Sequence, residues 1–485
     1  MIISTRRYQA DGQNQFASLT GDYNPMHIDP ITARREMLGD VVVHGMHAVM
    51  QALEDFASYM GWTEPQSLYR LKVSFANAIY LDKNCELAVL ESDNNSAKLK
   101  LTGEYGSNLM TLQVRWNTFE GNQKDCSTSL PKPLSSPRNL SLADTDGMEG
   151  ELQREIQPEL LQAMFPKVAS VLGISLVTEL AALTRLVGMV CPGLQSIFSG
   201  FELNAPTEPP ADFDEIRYAV SKADARISRI AIETQSRAYS GSVECFYRPR
   251  PEQQLSFQAA QSLVDPEECK DQVAWIIGGT RGIGEVTAKT ICAAGGRSII
   301  TYYQGRDDAE RLAQEMNEGG GDAVTMQFDH ADPSAGIALL KERGVVPNAI
   351  YYFASPKIFV QKGAQYEHEL FGQFCAAYLE GISGVYRECR EAFGAIPMVI
   401  FHPSSSAIDQ PVKGLVEYSA AKAAAEIMLE HLQKFDKSLK VIESRLPRIA
   451  TDQTMTLMPF PAEKAETVML PLIRRVSTAI AELQE

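Results

Sequence analysis

Apolar and polar positions along this chain follow two regimes. Through about residue 250 they alternate as strands with one buried face do, in Leu71 to Phe75, Glu86 to Leu90, Ala97 to Glu104 and Met110 to Trp116. Turn residues such as Asp93-Asn94-Asn95 separate the runs, and a helix-like stretch, Val43 to Met60, precedes them. One helix followed by a strand meander predicts a sheet wrapped around that helix. The same order then returns, with helix-like Glu179 to Val190 followed by strand-like Ser196 to Leu203, Glu215 to Lys222, Ile227 to Thr234 and Ser242 to Tyr247. From Val273 onward, apolar runs alternate with helical patterns, the signature of a parallel sheet with crossover helices.

Two polar segments punctuate this pattern. Residues 121–150 carry Ser127, Ser129, Pro131, Pro133, Ser135, Ser136 and Pro137 without core periodicity, and 251–270 begin at Pro251 and stay polar to the end. The expected division is a first domain at 1–120, a linker at 121–150, a second copy of the first architecture at 151–250, a linker at 251–270 and a last domain at 271–485.

Composition narrows the partners. A formal charge of -16 over 485 residues argues against a general nucleic-acid or anionic-membrane surface. The start lacks a secretory apolar core, and no apolar run approaches the roughly 18 to 20 residues that span a bilayer. The eight cysteines are scattered with no close C-x-x-C pair, which suits reduced thiols. These features place the protein in the cytoplasm, without membrane or nucleic-acid partners.

The first chemical cluster is Asp22-Tyr23-Asn24-Pro25-Met26-His27, followed downstream by His44-Gly45-Met46. The D-x-N-P-x-H spacing with the later H-G-M resembles the MaoC-type, or R-specific enoyl-thioester hydratase, branch of the hot-dog fold, over roughly the first 120 residues. With the repeat at 151–250, that resemblance implies an α+β double hot-dog, antiparallel sheet around helix. Removing water from a 3-hydroxyacyl thioester needs a base for the α-proton and an acid for the departing hydroxyl, tasks that Asp22 and His27 can divide. The backbone N–H of Gly45, at the start of the predicted helix, is the candidate donor to the thioester oxygen. Asn24 and Pro25 fix the turn that aims both side chains, while His44 and His47 are open to structural or functional roles. All seven histidines lie at 27, 44, 47, 330, 368, 402 and 431, so the second repeat cannot carry a second copy of the pair. It is expected to complete the sheet and shape a tunnel for the acyl chain. Its run Leu183 to Gly193 shows no chemistry of its own; Cys191 within it is a nucleophile or a buried structural thiol.

The second cluster starts at Ile276-Ile277-Gly278-Gly279-Thr280-Arg281-Gly282-Ile283-Gly284, between an apolar run and the helix-like Glu285 to Ala294. Glycines at such a turn let the backbone approach a pyrophosphate at a helix N-terminus. Far downstream, Ser405 stands thirteen positions before Tyr418 in Tyr418-Ser419-Ala420-Ala421-Lys422. Together these resemble the short-chain dehydrogenase/reductase family, from about residue 270 to the end. The resemblance implies a Rossmann-type, doubly wound α/β parallel sheet. It implies cofactor contacts at Gly278, Thr280, Arg281, Gly282, Ile283, Gly284, Arg306, Asp329, Ala354, Tyr418, Lys422 and Thr451. Ser405 would orient a carbonyl, Tyr418 would donate a proton to its oxygen, and Lys422 would lower the Tyr418 pKa from about 10 while holding the ribose. After the second strand stand Tyr302, Tyr303, Gln304, Gly305 and Arg306, with no acid for a ribose hydroxyl, so NADPH is favoured and Arg281 with Arg306 is positioned to pair with its 2′-phosphate. No metal is implied.

Departures from the family accompany the match. Its N-N-A-G reads Tyr352-Phe353-Ala354-Ser355, its relay asparagine is Tyr378, a glycine after Pro447 is Arg448, and a helix-like tail, Ala462 to Leu483, leaves no seventh strand. The two chemistries are consecutive. The expected function is NADPH-dependent 3-oxoacyl-thioester reduction followed by 3-hydroxyacyl dehydration, or the reverse hydration, in fatty-acid or polyketide-type synthesis. The substrate would ride on an acyl carrier protein or coenzyme A, and the protein is expected to be a homodimer. The alternatives are a hydratase fused to an alcohol dehydrogenase for an unrelated, sugar-like substrate, or to a non-catalytic NADP-binding scaffold.

Overall fold

The computed structural model describes every residue except 119–127, 132–135, 207–213, 360–365 and 459. Part of the segment expected as a first linker therefore lies outside the described residues. The chain divides into two compact units, Met1–Arg250 with Thr456–Pro459, and Pro251–Met455 with Phe460–Glu485.

The first unit begins with β1 (Ile2–Arg6), α1 (Ala10–Thr20), the short α2 (Pro25–Ile28) and α3 (Pro30–Ala33), and α4 (Gly45–Tyr59). The strands β2 (Gln66–Phe75), β3 (Cys85–Ser92), β4 (Ser96–Thr102) and β5 (Asn108–Thr118) follow. The order then repeats as β6 (Glu149–Leu152), α5 (Pro158–Met164), α6 (Ile174–Arg185), β7 (Ser196–Asn204), β8 (Ile216–Asp224), β9 (Arg229–Gln235) and β10 (Ser240–Tyr247). β6 starts inside the segment expected as linker, because its four residues pair antiparallel with β8.

All ten strands form one antiparallel sheet in the order β1-β3-β4-β5-β2-β7-β10-β9-β8-β6. Read outward from the centre, the two halves run β2-β5-β4-β3-β1 and β7-β10-β9-β8-β6, which is the same order twice. The halves join where β2 pairs with β7, from Arg70 opposite Asn204 to Ser74 opposite Gly200. A side chain at Gly200 would sit 2.6 Å from the Val73 carbonyl, so this close strand approach requires glycine. Alternation produces the buried face: Ala97, Leu99 and Leu101 in β4, and Ile230, Ile232 and Thr234 in β9. Against it lie α4 and α6, each buried on nearly every side, as expected of helices enclosed by a sheet. The helix expected from Glu179 starts earlier, at Ile174, and passes at Leu186–Val190 into a π-helical turn.

The second unit comprises α7 (Phe257–Gln261), β11 (Val273–Ile277), α8 (Gly282–Ala293), β12 (Arg297–Tyr302), α9 (Arg306–Glu318), β13 (Asp322–Gln327), α10 (Pro333–Glu342) and β14 (Ala349–Tyr352). It continues through α11 (His368–Cys375), α12 (Ile382–Phe393), β15 (Met398–Ser405), α13 (Val416–Phe435), β16 (Leu439–Leu446) and α14 (Ala465–Gln484). Its six strands are parallel, in the order β13-β12-β11-β14-β15-β16. Both faces are covered: Ile276, Ile300 and Phe401 pack with α8 and α14, while Trp275, Ile299 and Ile400 face α10, α12 and α13. Winding reverses between β11 and β14, and at such a switch point a crevice opens beyond the strand ends. Among the described residues no seventh strand follows β16, and α14 packs beside α8 on one face of the sheet. No described helix is long and apolar enough to cross a membrane.

Candidate active sites

In the first unit, α1 ends at Gly21, whose φ of 78° turns the chain sharply into Asp22. Asn24 then caps α2 by accepting from the Met26 N–H at 3.2 Å, with Pro25 at the first helical position. These two devices aim Asp22 and His27 toward one point. One ligand atom each of Asp22, His27 and His44 lies within 4.8 Å of the others. The His27 Nδ1–H donates to the Val42 carbonyl at 2.7 Å, which leaves its Nε2 for chemistry. His44 stacks on the His27 ring, centroids 4.0 Å apart, and both its nitrogens face carbonyl oxygens, those of the Gln13 side chain and the Asp22 backbone, each at 3.0 Å. Gln13 also donates to His47 Nδ1 at 3.0 Å, so His44 and His47 belong to a buried scaffold behind the pair.

Burial sets the protonation states. It raises the Asp22 carboxyl above the ordinary carboxylate range, with His27 acting against it. It pushes His27 down to about 3, helped by His44. The same burial thus shifts the two groups in opposite senses, the carboxyl upward and the imidazole downward. Gly45 opens α4, as expected, and a side chain there would meet the Phe75 ring at 2.9 Å.

The second repeat takes part in this site, which its blank sequence did not foretell. Thr184 on α6 donates to Asp22 Oδ2 at 2.7 Å. Any side chain at Gly188 would collide with the Asp22 carboxylate. Asn24 Nδ2 donates to the Gly188 and Gly193 carbonyls at 2.9 and 3.1 Å. The signal available in the sequence was Gly188 itself, a helix-breaking residue inside an otherwise apolar helical run. Cys191 is fully buried, and burial raises its thiol to about 11, so it is no thiolate nucleophile.

In the second unit the glycine turn lies at the end of β11, at the switch point. Gly278 has a φ of 80° and Gly282 one of 55°, a region that favours glycine. A side chain at Gly284 would strike the Gly278 carbonyl, and one at Gly278 would sit 3.0 Å from the Ala354 N. The Gly278 N–H donates to Thr301 Oγ1 at 3.0 Å. Thr280 and Ile283 belong to the same turn, and Thr451 closes on it, so that a Cβ at Gly282 would meet the Thr451 methyl at 3.2 Å. The bare backbone of this turn thus stands at the N-terminus of α8.

Ser405 ends β15, and Tyr418 and Lys422 occupy successive turns of α13. Ser405 acts on the Tyr418 phenol to favour its ionised form, and the Lys422 ammonium donates to the Pro403 carbonyl at 2.7 Å. Lys422 also lies 4.0 Å over the Tyr378 ring, whose hydroxyl is 2.6 Å from Ser355 Oγ. Burial lowers Lys422 to about 7 and raises Tyr418 above its ordinary value. Where the expectation had Lys422 drawing Tyr418 downward, Tyr418 is raised by burial with Ser405 acting against it. Arg281 and Arg306 are already engaged, with Asp452 at 2.7 Å and Glu310 at 2.6 Å. Asp329 accepts from the Ala331 N–H at 2.9 Å, after β13.

Comparison with known proteins matches two segments to families. Residues 4–111 match the MaoC like domain, and residues 272–344 the short chain dehydrogenase family. Versicolorin reductase 1 of Aspergillus parasiticus is 31% identical over 80 residues, 16% of this chain and 30% of that protein. A 3-oxoacyl-[acyl-carrier-protein] reductase of Synechocystis is 33% identical over 70 residues, 14% of this chain and 28% of that protein. The chain thus spans less than a third of these relatives' lengths. A solved short chain dehydrogenase from Burkholderia cenocepacia in complex with NADP is 18% identical, with a TM-score of 0.39, covering 43% of this chain and 91% of that one.

Proposed function

Because the chain joins a MaoC-like region to a short-chain-dehydrogenase region, we propose that it reduces a 3-oxoacyl thioester with NADPH and removes water from the resulting 3-hydroxyacyl thioester. The observation that carries this reading is the convergence of Asp22 and His27 at one buried point of the MaoC-like region, with a ligand atom of each within 4.8 Å of the other, where a carboxyl and an imidazole can serve as acid and base on one substrate. On this reading the ten-stranded sheet is a double hot-dog with one working half. His27 Nε2 takes the α-proton, the Asp22 carboxyl protonates the departing hydroxyl, and the Gly45 N–H steadies the thioester oxygen. Water and enoyl thioester leave with Asp22 as carboxylate and His27 as imidazolium, and one proton passing between them restores the start.

The second unit fits a phosphorylated dinucleotide. The Gly278–Gly284 turn offers bare backbone at a helix N-terminus, and Arg281 and Arg306 would exchange Asp452 and Glu310 for a 2′-phosphate. When bound, the cofactor supplies the hydride. Ser405 orients the carbonyl, Tyr418 gives its oxygen a proton, and Lys422 restores Tyr418. The carrier, coenzyme A or acyl carrier protein, follows the relatives' chemistry: one is named a 3-oxoacyl-[acyl-carrier-protein] reductase and another a 1-cyclohexenylcarbonyl-CoA reductase.

Mass spectrometry of products from the full chain, NADPH and 3-oxoacyl thioesters on both carriers tests the proposal. Tyr418→Phe should lower the 3-hydroxy product by about a thousand-fold and leave dehydration of supplied 3-hydroxyacyl thioester intact. Unchanged NADPH oxidation in that variant would instead favour a domain that binds nucleotide without using Tyr418.

A further inference from the structure

Lys422 is buried, and desolvation brings its ammonium down to about 7. Among the described residues, what meets that ammonium at close range is uncharged: the Pro403 carbonyl at 2.7 Å and the face of the Tyr378 ring, whose centroid is 4.0 Å away. The carboxylates around it are engaged elsewhere. Glu426, one turn on along α13, is gripped by Arg445 at 2.9 and 2.6 Å, and Glu443 Oε2, from β16, stands 3.3 Å from His402 Nδ1 on β15. Both carboxylates favour the charged lysine and desolvation opposes it. A ring face this close adds to the favourable side.

The ring is held from several sides. Tyr378 lies in the π-helical turn Ala376–Gly381 between α11 and α12, a rare local widening of the kind that recurs at functional sites. From β14 the Tyr352 hydroxyl donates to the Ala377 carbonyl at 2.8 Å, and a side chain at Gly381 would strike that same hydroxyl. The Tyr378 hydroxyl is 2.6 Å from Ser355 Oγ; because Ser355 gives its one proton to the Pro356 carbonyl at 2.8 Å, Tyr378 is the donor. Donation leaves the phenol oxygen, and with it the ring face, richer in electrons. Phe374 stacks on the ring with centroids 5.8 Å apart, and Tyr418 meets it edge-on at 5.9 Å. Tyr352, Ser355 and Tyr378 are three of the positions at which the sequence departs from the family's pattern. In the fold they gather around one turn.

We propose that Tyr352, Ser355 and Tyr378 act as one unit that sets an aromatic face against the Lys422 ammonium, which makes Tyr378 a positioning residue of the reductase site. The ring favours the ammonium over the free amine, because its quadrupole attracts a cation and does little for a neutral group. On the reductase reading Lys422 must be charged to restore Tyr418, so turnover is lost as pH rises through the lysine's value. A weaker ring face moves that loss to lower pH.

This inference rests on the reductase reading, and one arm of its test does not. In the nucleotide-free full chain labelled with carbon-13 at lysine Cε, the Lys422 resonance, identified by its loss in Lys422→Met, follows the lysine's titration directly. Tyr378→Phe should leave the midpoint within about 0.3 pH unit, and Tyr378→Leu should lower it by about one unit. Should Tyr378→Leu fail to fold, phenylalanines carrying one, two and three ring fluorines at position 378 keep the shape while draining the face, and should lower the midpoint stepwise. A midpoint indifferent to fluorination, or moved as far by Tyr378→Phe as by Tyr378→Leu, overturns the aromatic seat. With NADPH and a 3-oxoacyl thioester, the basic limb of the kcat profile should move down with the midpoint while KM stays within about two-fold of the parent. A midpoint that moves without the limb overturns the positioning role. If the parent oxidises no NADPH, the reductase reading fails, and the spectra still decide whether the ring holds the lysine charged.

Discussion

The two halves of the ten-stranded sheet have the same strand order and one buried helix each, yet they meet the active site in opposite ways. The first half brings titratable groups: Asp22 and His27 on the turn before α4, and His44 at its start. The second half brings no carboxyl or imidazole to that point; it brings a hydroxyl from Thr184, the bare backbone of Gly188 and the Gly193 carbonyl against Asp22 or Asn24, and the charges of Arg185 and Arg248. Duplication of architecture therefore did not duplicate chemistry. It supplied a wall whose shape and hydrogen bonds hold Asp22 and Asn24.

The largest effect expected from this division is at the acid itself. Asp22→Asn should lower dehydration about a thousand-fold, measured on supplied 3-hydroxyacyl thioester with the reductase rate as internal control. Next is Gly188→Ala, a change in the half that brings no carboxyl or imidazole to the site. A methyl there displaces the Asp22 carboxylate, and a misplacement near 1 Å costs about a hundred-fold. Activity within about two-fold of the parent, with unchanged circular dichroism, would show that the second half is only a frame.

Acid stability sharpens the contrast from the other side. Burial holds His44 and His47 at about 3 in the folded state, against an ordinary value of 6.5. Between those values the unfolded chain takes up protons that the folded chain refuses. Stability present above about pH 6.5 should thus be lost as pH falls toward 3, by about 1.4 kcal/mol per pH unit for each histidine. Asp22, raised by burial, works in the opposite sense. Calorimetric melting from about pH 7 to 4.5 measures the balance, and a flat melting temperature would contradict it. The smallest effect is at Thr184→Val. Losing a hydrogen bond that favours the carboxylate should raise the Asp22 carboxyl further, move the basic limb of the dehydration profile to higher pH and cost about ten-fold in rate.

Much of this was legible in one dimension. Period-two alternation found the strands of both repeats, because a one-faced strand must alternate wherever its sheet has one buried face. The D-x-N-P-x-H turn was readable because Asn24 and Pro25 act locally, on the backbone two residues away. The glycine turn was readable for the same reason, since φ at Gly278 and Gly282 is a local demand. Boundaries were less so: β6 owes its existence to β8, which lies far downstream in the chain.

By itself, then, the sequence determined what short-range chemistry enforces: two repeats of helix and strands, one parallel sheet, one turn that carries Asp22 and His27, one glycine turn and the Ser405, Tyr418, Lys422 set. Only the tertiary structure decided which groups stand beside them. Thr184 meets Asp22 across 162 positions because β2 and β7 pair and carry α4 and α6 into one core. Desolvation, a property of the packed interior that no spacing encodes, put Asp22 above its usual range, His27 at about 3 and Lys422 at about 7.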